Sequence, residues 1–207
     1  MEIATPSNLV NPLIPCKILQ AKAQSIGGYD YKSAIPFRYL LDYREAISKH
    51  RNHYLFLVEE FHKKNPVPPF KYEEVALFLK DEMGFYSEIS LVDCIPRSIS
   101  AIWEWESSIT KRCCTILVNS SQTPERIKFT IAHELVHAIQ DLDIVFRRIV
   151  EKLPESIRLK FIDRIADITA SRFLAPPKIV RSLRNRGFSN TEIARQLEVS
   201  NQVIEYT

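Results

Sequence analysis

The chain has no apolar run long enough for a membrane: stretches such as Tyr54 to Val58 are far shorter than the roughly 20 residues a spanning helix needs. Its first residues, MEIATPSNLVNPLIP, lack both a basic start and a long apolar core, so a secretory signal is not expected. Cysteine is sparse. The four present, Cys16, Cys94, Cys113 and Cys114, show no CxxC spacing, and two are adjacent, which suits reduced thiols better than a disulfide framework. Excess charge is missing too, because +3 over 207 residues is far from the basic surplus of a dedicated nucleic-acid binder. No internal repeat or low-complexity segment is present. What remains, 45% hydrophobic and 26% charged, describes a soluble globular protein with one substantial core, expected in the cytoplasm.

Residues 1 to about 35 carry scattered prolines and a Gly27-Gly28 pair and read as an irregular arm. From Pro36 the apolar positions Phe37, Leu40, Leu41, Ile47, Tyr54, Leu57, Val58 and Phe61 recur at helical steps, predicting one amphipathic helix that Asn65-Pro66-Val67-Pro68-Pro69 stops. Residues 1–65 thus form an arm and helical extension, and 66–207 a second unit. A helix over Tyr72 to Met83 ends at Gly84, a natural C-terminal cap. Ile89–Asp93, Ile99–Trp105 and Cys113–Asn119 are β-rich, and their short connections predict a small, mainly antiparallel three-stranded sheet. A helix starts at Thr123-Pro124, and further helices follow at about 144–152, 155–175, 177–186, 190–198 and from 201. Strands flanked by helices without βα alternation make the fold class α+β.

The helix opened by Thr123 as N-cap and Pro124 at its first position contains His133-Glu134-Leu135-Val136-His137. Residues four apart share a helix face, so both imidazoles can meet one ion, while Glu134 projects about a hundred degrees round the axis. There it can reach a water on the metal without becoming a ligand, as zinc hydrolases require. The competing reading is an ordinary core helix. Against it, the flanking Ile131, Ala132, Leu135, Val136, Ala138 and Ile139 make the helix mostly buried, and burying two histidines and a glutamate is costly unless they are paired or metal-bound. Catalytic zinc needs a third protein ligand, and Asp163 and Asp167 share a face of a later helix. One can bind the metal while the other orients a histidine ring N–H; the residues alone leave open which does which.

The stretches ILVNSSQTPERIKFTIAHELVH and DRIADITASRFLAPP resemble the ImmA/IrrE metallopeptidases. Arg126, Phe129, Thr130, Ala132 and His133 to His137 match that family's first motif. Ala166, Asp167, Ala170, Leu174 and Pro176 match its second in register, and the likeness extends over about residues 66–200. The resemblance implies a mainly helical, zincin-like metallopeptidase core holding one zinc ion per chain through His133, His137 and Asp163. Glu134 would be the general base and Asp167 the acid behind a histidine. Its implied substrate is a regulatory protein, often a helix-turn-helix repressor. The strand before the active-site helix would pair with the substrate through Thr115 to Val118, with Thr115 and Leu117 as contacts. Three positions depart from the family pattern: Asp163 replaces its glutamate, Thr169 its phenylalanine, and Val136 a small residue.

NTEIARQLEVSNQVIEYT (190–207) resembles a helix-turn-helix, with Ile193, Ala194, Leu197, Val199 and Ile204 apolar but Glu198 where glycine usually turns the chain. The sequence leaves little second helix for a major groove, so packing or substrate recognition is expected rather than direct nucleic-acid binding. Arg181, Arg184, Arg186 and Arg195 read as a solvated face, and His50, His53 and His62 as exposed polar residues. Trp103 and Trp105 read as sheet residues, and Cys113-Cys114 as strand packing. Two other functions compete with the enzyme: a DNA-binding regulator using the C-terminal segment, and an interaction module with a vestigial metal site.

Overall fold

The computed structural model describes residues 35, 39–107 and 112–207, so the expected arm, with Cys16 and Gly27-Gly28, lies outside the described residues. The elements are α1 (Leu40–His50), α2 (Leu55–Lys64), α3 (Tyr72–Met83), β1 (Tyr86–Val92), β2 (Ala101–Ser107) and β3 (Arg112–Asn119). They continue with α4 (Pro124–Leu142), α5 (Ile144–Glu151), α6 (Glu155–Leu174), α7 (Pro177–Asn185), α8 (Asn190–Leu197) and α9 (Asn201–Tyr206). The fold is α+β and mainly helical. No helix among the described residues is long and apolar enough to cross a membrane.

The local signals for the later helices act as anticipated. Thr123 Oγ1 accepts from Arg126 N at the start of α4, and Gly84 closes α3 in the left-handed conformation, φ +67°, that a side chain would strain. Ser189 and Glu192 form a reciprocal capping box on α8.

Two features differ from the sequence reading. The single helix expected from Pro36 to Asn65 is broken at 51–54 into α1 and α2. Tertiary partners make the break favourable: Arg172 Nη1 donates to the Arg51 carbonyl (2.7 Å), and His53 Nε2 meets Asp143 Oδ2 (2.7 Å). The sheet is mixed, in the order β1-β3-β2. β2 is antiparallel to β3, from Ala101 opposite Val118 to Ser107 opposite Arg112. β1 is parallel to β3, from Tyr86 opposite Cys113 to Val92 opposite Asn119. The connection from β1 to β2 therefore crosses the end of β3 rather than closing a hairpin. Asn119, 1% exposed, anchors that crossing. Its amide nitrogen donates to the carbonyls of Ile99 (3.1 Å), Pro96 (3.3 Å) and Ile95 (3.4 Å), and its oxygen accepts from Ser121 N and Oγ.

One face of the sheet, with Cys114, Ile116, Val118, Trp103 and Trp105, packs into the main core alongside Leu135, Ile139 and other residues of α4. The opposite face carries a small separate cluster of Ile95, Ile102, Val92, Ile99 and Leu117. α6 lies along the other side of α4, so the helix bearing the two histidines is held between sheet and helix. α1 and α2 pack on α6, and Tyr54, Val58 and Phe61 belong to the same core as the strands and α4.

Candidate metal centre

α4 buries Ile131, Ala132, Leu135, Val136, Ala138 and Ile139, which leaves His133, Glu134 and His137 half-buried along the remaining face. The spacing of four brings the rings together, with Nε2 of His133 and Nε2 of His137 2.9 Å apart. From α6, Asp163 Oδ1 lies 3.2 Å from His133 Nε2 and 3.8 Å from His137 Nε2. Among the described residues, this trio is the cluster whose ligand atoms all fall within 4.8 Å of one another. Donors bound to zinc at about 2.0–2.1 Å in tetrahedral geometry stand about 3.3 Å apart, so the observed separations bracket what an ion would need. The donor set of two imidazoles and a carboxylate suits zinc.

The outer nitrogens of both rings are also engaged. Asp167, one turn beyond Asp163, puts Oδ1 3.1 Å from His133 Nδ1, within ion-pair range though out of line for a hydrogen bond. His133 thus stands between the two aspartates. His137 Nδ1–H donates to Gln140 Oε1 (2.8 Å), and Gln140 Nε2 donates to the Ile162 carbonyl on α6 (3.0 Å). Gln140 is 4% exposed. Sequence reasoning missed it; the available signal was an amide three residues beyond a histidine on an otherwise apolar helix. Both rings therefore turn their Nε2 atoms toward Asp163.

The electrostatics favour a cation at this point. Burial of the Asp163 carboxyl works to raise its pKa, but the two imidazoles more than offset that and hold it well below the usual carboxylate range. Burial likewise opposes charge on His133, yet Asp163, Asp167 and Glu134 outweigh it and push the ring up to about 10. Acids that stabilise a proton so strongly would also stabilise a metal ion in its place.

Glu134 also contributes to the field at Cys114 of β3. Burial, then Cys113, Glu134 and Asp141, push the Cys114 thiol up to about 12, so it remains a packed, protonated side chain as expected. Asp141, further along α4, accepts from Trp105 Nε1 of β2 (2.7 Å), tying that strand to the end of the helix.

The expected substrate strand needs correction. β3 is the central strand, hydrogen-bonded to β1 and β2 on its two sides, so it has no edge to offer. Thr115 and Leu117 lie on the face opposite Cys114 and Ile116, and Leu117 packs in the small cluster away from α4. Among the described residues the strand with a free edge beside α4 is β2.

The three histidines expected to be exposed are half-buried, with the His50 ring centroid 6.0 Å from that of Phe161. His53 pairs with Asp143, and His62 Nε2 donates to the Arg172 carbonyl (2.8 Å) while its ring packs 4.7 Å from that of Phe70. The C-terminal segment is docked onto the core. Lys128 Nζ donates to the carbonyls of Leu197 and Glu198 (3.2 Å each), Arg184 Nη2 donates to the Ile204 carbonyl (3.1 Å), and the Arg164 guanidinium lies 4.2 Å from the Tyr206 ring. The exposed side chains of α9, Asn201, Gln202 and Glu205, include no cation, which agrees with packing rather than groove binding.

Comparison with known proteins follows the same line. The family model for the IrrE N-terminal-like domain matches residues 106–207. The radiation response metalloprotease IrrE of Deinococcus radiodurans is 33% identical over 90 residues, which cover 41% of this chain and 27% of that protein. The present chain thus spans about a quarter of the length of that curated relative. A solved structure described as a Mycobacterium tuberculosis transcriptional regulator shares the fold, with a TM-score of 0.59 at 17% identity, over 80% of this chain and 50% of that one.

Proposed function

Residues 106–207 place this chain in the ImmA/IrrE family, and we propose from that membership that it is a zinc-dependent endopeptidase acting on a protein substrate. The observation that carries the reading is the convergence of His133 Nε2, His137 Nε2 and Asp163 Oδ1 on one point between α4 and α6. In this reading the three side chains hold one zinc ion per chain. When bound, zinc brings the pKa of a coordinated water toward neutrality and polarises the scissile carbonyl.

The remaining chemistry belongs to the protein. Glu134 takes the proton of the attacking water and delivers it to the departing amine. Asp167 and Gln140 hold the imidazoles with Nε2 inward, so that neither ring can turn its donor atom away. The extended substrate is read along the free edge of β2 instead of β3, by backbone pairing. The substrate class is a regulatory protein, a helix-turn-helix repressor, reached in the cytoplasm; its support is the family resemblance of the two motifs. The DNA-binding alternative gains nothing from α9, whose exposed side chains include no cation.

The test combines metal content with turnover. Wild type is expected to carry near one zinc per chain and Asp163→Ala to lose it. Glu134→Gln should keep its zinc and cleave about a thousandfold more slowly. A zinc-loaded Glu134→Gln protein that cleaves as fast as wild type would overturn the mechanism, and a wild type that takes up no zinc would overturn the whole reading.

A further inference from the structure

A pocket of about 270 Å³ opens beside His137, between β2, α5 and α6. We propose that it is the specificity subsite for one large apolar side chain of the substrate, that of a residue flanking the scissile bond; this rests on the metallopeptidase reading above. His137 both lines the pocket and belongs to the cluster of metal-ligating atoms. A peptide whose carbonyl lies at that cluster must therefore place a neighbouring side chain in or across this opening.

The lining sets the chemistry. Trp103, Phe146, Val150 and Ile162 supply apolar walls from three elements, while Asp141, Arg147 and Glu151 are exposed charged members. The interior polar groups are already used: His137 Nδ1–H donates to Gln140, and the Gln140 amide donates to Ile162. The charged members are exposed at the mouth, so a charged side chain seated between Trp103, Phe146 and Ile162 would give up water with no partner among those walls, whereas an apolar one would lose only water contact. The pocket is also preformed. Phe146 is 1% exposed and its ring is packed against those of His53 (5.5 Å), Tyr54 (5.7 Å) and Phe161 (5.8 Å), so that wall is not free to collapse. The space accommodates a leucine, methionine or phenylalanine side chain, and glycine or alanine would leave it unfilled.

Three hydroxamic acids test this by calorimetric titration of the zinc-loaded protein, because they share a metal-binding head and differ in the tail. 4-Methylpentanehydroxamic acid is expected to bind at least tenfold more tightly than acetohydroxamic acid. 4-Aminobutanehydroxamic acid, of similar reach but charged at its end, should gain nothing over the acetyl compound. Val150→Trp, which fills the pocket, should bring the branched and acetyl affinities together; the wild-type comparison stands even if that variant fails to fold. Equal binding of all three compounds would overturn the subsite and leave the metal centre standing. No binding of any compound, in protein that takes up no zinc, would overturn the metallopeptidase reading and the subsite with it.

Discussion

Gln140 carries the sharpest residue-scale consequence. Its oxygen fixes the tautomer of His137 and its nitrogen is spent on α6, so Gln140→Leu preserves bulk while freeing the ring to turn. The expected result is a zinc affinity about 10- to 100-fold weaker, measured by competition with a chelator, with an unchanged circular dichroism spectrum. An unchanged affinity would reduce Gln140 to packing. The pair His133 and His137 was legible from spacing alone, since a helix puts residues four apart on one face whatever surrounds it. The separate positions of Asp163 and Asp167 were not legible from spacing, because both acids share a face and only the approach of α6 to α4 decides which nitrogen each meets; the resemblance of the second motif alone told them apart. That close approach also brings the shorter aspartate at position 163 within 3.2 Å of His133. Gln140 escaped notice because its partners are a ring nitrogen and a backbone carbonyl on another helix.

At the scale of elements, two contacts decide how neighbouring segments join. Asn119 holds the crossing loop to the end of β3, and Asn119→Ala would leave buried carbonyls without their donor. It should cost about 2–3 kcal/mol in urea unfolding, and a cost under about 0.5 kcal/mol would contradict the role assigned to it. His62 joins α2 to α6. Burial pushes its ring below the ordinary value of 6.5, partly offset by the Arg172 carbonyl, so the folded protein favours the neutral form. Its contribution to stability is full above 6.5 and is lost as pH falls through 6.5 toward the folded value. Wild type should therefore lose more urea resistance than His62→Gln between about pH 8 and pH 5; equal losses would remove His62 from the account. Helix boundaries from α3 onward were readable within a residue or two, because Thr123, Gly84 and the prolines act locally. The break between α1 and α2 and the central place of β3 were not, since Asp143, Arg172 and Asn119 impose them from distant parts of the chain.

Across the whole molecule, a shared core joins the N-terminal helices to the metal cluster. Phe61, fully buried, packs its ring against Phe70, Phe78 and Phe173, linking α2 to α3 and α6. Phe61→Ala should lower stability by about 3–5 kcal/mol. It should also lower the unfolding of α4, α6 and the extension together, in one transition seen by both far-ultraviolet dichroism and release of added metal. Two separate transitions would show that α1 and α2 are an independently stable piece. The α+β class and the helical majority follow from periodicity, but membership of α1 and α2 in the core depends on aromatic contacts that no local pattern specifies.

Trp103 and Trp105 are the two tryptophans of the chain, and their rings lie at right angles with centroids 6.1 Å apart on β2. One lines the pocket beside His137 and the other donates to Asp141 at the end of α4. All indole emission from this protein therefore originates at the wall of the cleft. Loading the cluster with a paramagnetic ion such as cobalt, or seating a ligand against Trp103, should alter the fluorescence without any attached label, giving occupancy of the site an optical signature of its own.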